Sequence, residues 1–423
     1  MEVSGVGVLC TLFLSGLAVG PDRAPDRLYG RVLTVDGEVV EGFLRWDRNE
    51  ASWADFLDGA KEIPLEHIRE AERLDPEFAE RRQRERSVVA FGVRITWDED
   101  DQADPPAVDS GIRFVHIESL VVEDDRYARL RLRGGGEVRL RSASSDLGGG
   151  MRDLVIERTD GSERELEWSD IDRVDFMPAP AGSMSPGTER LHGTVSTWGG
   201  LELTGTIAWD LDEIFTDDIL DGRSGGRDHE IRFGDIGAIE WESARSARVH
   251  LRSGEEMVLR GSNDVDRTNR GIEVSGTGFG RAVVRWEDFR SLRLHADRQP
   301  VAWADFAPGD AVTGTVYARD GRVVEGAIRW NNVKTRAWEL LGGWHDDTRF
   351  DIELGAIRSI AKVAPDRVVV TLHGGRTFEL EDSDDVDEQN LGILVQQEGR
   401  ASRLVRWRDF ERLELVGSRG QGS

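Results

Sequence analysis

VRWEDFRSLRL (residues 284–294) and VRWRDFERLEL (residues 405–415) share one spacing: apolar, any, apolar, two any, apolar, two any, apolar, any, apolar. The same spacing recurs at 166–176 (LEWSDIDRVDF), 231–241 and 352–362, and in weaker form at 63–73 and 112–122. A step of two keeps side chains on one face of a strand. A step of three cannot continue a flat strand, so the chain must turn there. The pattern predicts strand, one tight helical turn, strand, with every apolar side chain facing one core. Seven such corners predict an all-β protein of repeated modules.

A second signature precedes three of the corners. Gly30, Gly37, Gly42 and Trp46 recur as Gly193, Gly200, Gly205 and Trp209, and as Gly314, Gly321, Gly326 and Trp330, always spaced 7, 5 and 4. Asp36-Gly37 and Asp320-Gly321 are two-residue hairpin signals, because Gly tolerates positive φ. A second half-module follows, over 128–176, 247–294 and 367–415. Trp209 to Trp330 and Trp286 to Trp407 are both 121 residues, so the two half-modules repeat together. Trp46 to Trp209 is 163 residues, 42 more, and the surplus is read as an extra half-module at 74–126 with its own strand, 88–97, and its own corner, 112–122. Within it, 98–110 (DEDDQADPPAVDS) reads as a Pro-broken acidic loop, and Asp75-Pro76 with Glu77/Arg81 and Glu80/Arg84 predicts a short helix.

The expected organisation is therefore repeat 1 at 28–177, a linker at 178–190, repeat 2 at 191–294, a linker at 295–312, repeat 3 at 313–416 and a tail at 417–423. A lone half-module is too small to be stable, so the two halves are expected to share a core. The Gly-turn hairpins and strand–turn–strand endings resemble SH3-like or PRC-type small barrels. The expected modules are barrels or β-meanders, and no activity is carried over.

Composition narrows the function. The 81 Asp and Glu against 55 Lys and Arg give a net charge of −26, which repels phosphate backbones and argues against nucleic acid as partner. Residues 6–20 form one uncharged apolar run, short for a span of ~20 residues and followed by small residues, as in a signal peptide over 1–20. A periplasmic or extracellular protein of a bacterial envelope is expected, with an uncleaved N-terminal anchor as the alternative. Cys10, the single cysteine, lies in that run, so the mature chain would hold no thiol. No second long apolar segment follows, so no membrane span is expected after leader removal.

The candidate ligating residues lie in the loops of the second half-module. Asp264, Asp266 and Asn269 of repeat 2 match Asp385, Asp387 and Asn390 of repeat 3. Clustered carboxylate and amide oxygens suit Ca²⁺. The competing reading is structural: Asp and Asn close turns on their own backbone. Repeat 1 keeps Asp146 with apolar Leu147 and loses the other oxygens, which favours a turn anchor. Trp46, Trp209, Trp330 and Trp168, Trp286, Trp407 occupy two repeated positions read as core. Trp53, Trp198, Trp338 and Trp344 vary, and exposed ones would suit a sugar ring. His67 and His116 sit where other corners have Asp, so they read as turn residues. No HExxH or GxxxxGK[ST] pattern is present. The expectation is a non-enzymatic scaffold or binding module for a protein or glycan, with Ca²⁺ the one cofactor considered and a hydrolase at a domain junction as runner-up. Equivalent grooves, one per repeat, would favour the first; one deep cleft with perturbed carboxylates would favour the second.

Overall fold

A computed structural model describes residues 26–76, 87–90, 93–96, 107–183, 189–296, 301–306 and 309–417. The apolar run at 6–20 with Cys10, the helix expected over 77–84, residues 98–106 of the acidic loop expected at 98–110, parts of both linkers and the tail from 418 lie outside the described residues, while 107–110 of that loop are strand. No helix among the described residues is long and apolar enough to cross a membrane.

The first segment contains β1 (Tyr29–Thr34), β2 (Val39–Arg45), β3 (Phe56–Glu62), α1 (Leu65–Leu74), β4 (Ser87–Ala90), β5 (Val93–Thr96), β6 (Ala107–Arg113), β7 (Ile117–Val122), β8 (Tyr127–Leu132), β9 (Glu137–Arg141), β10 (Leu154–Glu157), β11 (Glu163–Leu166) and β12 (Ile171–Phe176). Ten of these strands form one antiparallel sheet in the order β11-β10-β2-β1-β12-β7-β8-β9-β3-β6, and β4 and β5 pair separately. The ten strands over 192–294 pair in the same order, and so do the ten over 313–415. Strand Gly280–Val284 of the second segment pairs with strand Thr348–Glu353 of the third, fusing these two into one twenty-stranded sheet. The protein is all-β, as the spacing required, but the expected barrel does not close. The outer strands β11 and β6 of the first sheet do not meet, and the outer strand at Gly280–Val284 is satisfied by a neighbouring segment instead of its own sheet.

Six of the seven corner windows turn as expected. Single 3₁₀ turns stand at Phe114–His116, Trp168–Asp170, Phe233–Asp235, Leu354–Ala356 and Trp407–Asp409, and a hydrogen-bonded turn joins Arg285 to Asp288 and Phe289. The seventh, 63–73, is instead the helix α1, with Ile68 and Ala71 buried on one face. Steps of three fit a helix as well as a corner, and here good helix formers (Glu66, Arg69, Glu70, Ala71, Glu72, Arg73) continue the turn.

This corrects the placement of the surplus. β3 and β6 are hairpin partners from Phe56↔Arg113 to Glu62↔Ala107. Residues 63–106 are thus their connection, 44 residues where the other two segments have two, which accounts for all 42 extra positions. The corner at 112–122 is the counterpart of 231–241 and 352–362, not part of an added half-module at 74–126.

The glycine spacing has two causes. Gly37, Gly200 and Gly321 take φ of 87°, 87° and 84° at open hairpin turns. Gly30 and Gly193 have negative φ, but a Cβ on them would stand 2.7 and 2.6 Å from the carbonyl oxygens of Asp175 and Arg293 on the neighbouring strand. The repeated tryptophans are core. Trp46–Trp168, Trp209–Trp286 and Trp330–Trp407 meet edge to face at 6.5, 6.2 and 6.0 Å. The second and third segments share one continuous apolar core, and the first has its own.

Buried ions tie the segments together. Arg190 reaches Asp55 at 2.9 Å, both nearly sealed from solvent. Arg113, with no exposure, bonds Glu353 at 2.9 Å, the carbonyls of Gly276 and Gly280 at 2.8 Å each, and the carbonyl of Ala54. Arg281 reaches Asp58 at 2.6 Å and Asp351 at 3.1 Å. The second linker also packs: Trp303 stacks on Trp53 at 5.5 Å, and the Arg133 guanidinium lies over its ring.

Candidate functional site

The strand after the glycine pattern ends in a turn with an unusual backbone. Asp47 and Arg48, Asp210 and Leu211, and Asn331 and Asn332 all take positive φ, between 44° and 66°. Asp and Asn visit this region readily, whereas each other L-residue there costs about 1–2 kcal/mol. The turn is closed by bridges Trp46↔Glu50, Trp209↔Glu213 and Trp330↔Lys334. It brings the side chains at its first and last positions under the loop of the second half-module. That loop supplies Asp146, Asp264 or Asp385, each accepting a backbone N–H from β3 or its counterparts: Asp58 N and Asp221 N at 2.6 Å, Gly342 N at 2.8 Å.

Two carboxylate clusters result. Asp47, Glu50 and Asp146, and likewise Asp210, Glu213 and Asp264, each bring one oxygen within 4.8 Å of the other two. Asp47 and Asp210 are fully buried, and Glu50 Oε2 and Glu213 Oε2 are sealed from solvent with no hydrogen-bond partner. Burial, reinforced by the neighbouring carboxylates, holds Glu50 and Asp146 well above the usual carboxylate range. The same causes push Glu213 to about 8, and burial pushes Asp264 to about 6. In the third segment Lys334 Nζ bonds Asp385 instead. Burial opposes its charge, but Asp385 and Asp384 outweigh that and raise its pKa.

Of the residues singled out from sequence, Asp264 and Asp385 therefore point inward. The other four close turns. Asp266 accepts from Thr268 N at 2.8 Å and its hydroxyl at 2.6 Å, and Asp387 accepts from Gln389 N at 2.7 Å. Asn269 accepts from Gly271 N at 3.0 Å and Asn390 from Gly392 N at 2.8 Å. None of these four is a member of either carboxylate cluster. Sequence reasoning missed Asp47, Glu50, Asp210 and Glu213. Their signal was the run Trp-Asp-x-x-Glu at 46–50 and 209–213, set against Trp330-Asn331 and Lys334.

His116 is more than a turn residue: its Nε2 stands 3.2 Å from Glu353 Oε1, across the segment boundary. His67 lies on α1, outside any corner. Trp53 and Trp338 are buried, Trp344 is half-buried beneath Arg285, and Trp198 alone of that group is exposed, edge to face with Trp241.

A cleft of about 670 Å³ opens between the first and third segments, with Arg281 of the second at its wall. It is built by three segments jointly, so it is not a groove repeated in each. Asp58, Asp351 and Asp385 are answered by Arg281, Arg349 and Lys334. Asp109, Asp382, Asp384 and Asp387 also line it and form no ion pair among the described residues. Burial, then Asp385, raises Asp384 to about 6. Among the described residues no histidine or aromatic side chain lines the cleft, and Ser144 and Ser383 are engaged with backbone groups. Comparison of the chain with family models, with curated proteins and with solved structures finds no match.

Proposed function

We propose that this chain is an exported, non-enzymatic binding protein made of three copies of one ten-stranded unit, and that its junction cleft receives a basic peptide segment of a partner protein. The observation that carries this reading is the surplus of unpaired carboxylates in a cleft of ligand-binding size. Lysine or arginine side chains entering it would neutralise Asp384 and Asp387, where partial burial weakens screening, and more weakly the exposed Asp109 and Asp382. A glycan is less favoured, since the described residues offer no aromatic face there. Export rests on the apolar run at 6–20.

The test is calorimetric titration of the full chain with a lysine-rich peptide, against a glutamate-rich peptide of equal length. Tight binding of the first alone, weakening with salt and falling at least tenfold in Asp109→Asn/Asp384→Asn, is expected. Equal binding by that variant would sink the reading. The single unrepeated cleft and the raised Asp384 favour one second reading, a hydrolase with Asp384 as general acid. Turnover that Asp384→Asn abolishes would favour it over binding.

A further inference from the structure

Four positions around each inner turn can be matched by their backbone hydrogen bonds. Asp47 Oδ1, Asp210 Oδ1 and Asn331 Oδ1 accept from the N–H of Arg152, Arg270 and Leu391 at 2.6, 2.5 and 2.8 Å. Asp146, Asp264 and Asp385 are matched by their bonds to the β3 counterparts. Glu50, Glu213 and Lys334 are matched by the bridge that closes the turn. The first two segments thus hold Asp, Glu, Asp and Arg, and the third holds Asn, Lys, Asp and Leu.

The difference is concerted in charge. In each of the first two segments three carboxylates face one arginine, Arg152 at 3.4 Å from Asp47 or Arg270 at 3.1 Å from Asp210. Both arginines also pair with Asp212 at the rim, so they do not bring either pocket to neutrality. With all three carboxyls ionised, each pocket would keep two negative charges. In the third segment one carboxylate and one ammonium cancel. Carboxyls packed this closely in a buried site are relieved either by taking up protons or by a compensating cation. Glu50 and Glu213 each place a carboxylate oxygen in their cluster, and the Oε2 atom of each is sealed from solvent without a hydrogen-bond partner.

We propose that the first and second segments each bind a divalent cation through Asp47, Glu50 and Asp146 and through Asp210, Glu213 and Asp264, and that the Lys334 ammonium is the third segment's built-in substitute. An oxygen-only donor set selects hard ions such as Ca²⁺ and Mg²⁺. The ion joins the inner turn to the loop of the second half-module, the two elements that Lys334 and Asp385 join in the third segment. This places two of the predicted calcium-type oxygens differently from the sequence reading: Asp264 binds, but its co-ligands come from the Trp209–Glu213 turn and not from Asp266 and Asn269.

The full chain is stripped with chelator and titrated with CaCl₂, and separately with MgCl₂, by calorimetry. Two equivalents of at least one ion are expected, with a matching rise in melting temperature. Asp210→Asn/Glu213→Lys/Arg270→Leu gives the second segment the combination the third already folds with, and should reduce the count to one without loss of fold. Asn331→Asp/Lys334→Glu/Leu391→Arg should add a third equivalent. Asp109→Asn/Asp384→Asn, in the cleft, should leave the count at two. Failure of both ions to bind at millimolar concentration, or a count unchanged in the second-segment variant, would overturn the proposal.

Discussion

Arg113→Met removes one guanidinium from a point where all three segments meet. The side chain is fully buried and satisfies Glu353 of the third segment, Gly276 and Gly280 of the second, and Ala54 of the first. Met fills similar volume, so the loss is electrostatic. Breaking a buried ion pair from one side costs about 3–5 kcal/mol, because the remaining charge is left uncompensated. Here Glu353 would keep only His116, at 3.2 Å, and three carbonyls would lose a charged donor. Burial raises the Glu353 carboxyl, and Arg113 and His116 together hold it below its usual range. Without Arg113 that balance reverses, so Glu353→Gln added to Arg113→Met should recover part of the loss. The assay is urea unfolding followed by Trp fluorescence, comparing wild type, each single variant and the pair. A midpoint loss of several kcal/mol for the single variant, with partial rescue in the double, is expected. A loss under about 1 kcal/mol, or a double variant no more stable than Arg113→Met, would refute the claim that this ion pair holds the segments together.

Gly193→Ala should destabilise by about 2 kcal/mol or more, since its Cβ would stand 2.6 Å from the Arg293 carbonyl and only backbone movement relieves that; Gly200→Ala is the comparison, strained by its φ of 87° but free of any clash, and thermal melts of the two separate packing from turn strain. Acid should loosen α1 through His67, whose pKa is lowered to about 4 by burial, then by Arg329 and Lys61. Because the folded value lies below the unfolded one, this stability is complete above about pH 6.5 and is lost as pH falls toward 4; discounted for partial exposure it amounts to about 1 kcal/mol. Hydrogen exchange of α1 between pH 7 and 4.5 should show the loss in wild type and not in His67→Phe.

The corner spacing made β structure legible because its two periods have different physical meanings. Where it failed, at 63–73, steps of three fitted a helix equally, and only the run of helix formers distinguished them. The 42-residue surplus was countable, yet its place depended on β3 pairing with β6 across 44 residues, which no local pattern records. The carboxylate clusters were half legible. Asp264 and Asp146 stood out as recurring acids. Their partners Asp210, Glu213, Asp47 and Glu50 lie about 50 to 100 positions away along the chain and read as ordinary turn residues until the fold laid one half-module over the other.

By itself the sequence determined local conformation: the corners, the hairpin turns at Gly37, Gly200 and Gly321, and the burial of Trp46, Trp209 and Trp330. These follow from side-chain period and backbone sterics, which act over a few residues. Tertiary structure alone decided that the sheet stays open, that the second and third segments join through Gly280–Val284 and Thr348–Glu353, and that Arg281 meets both Asp58 and Asp351. Those outcomes depend on which distant carboxylate, guanidinium or strand edge is left unsatisfied when the segments pack, and such pairing across hundreds of residues has no periodicity to read.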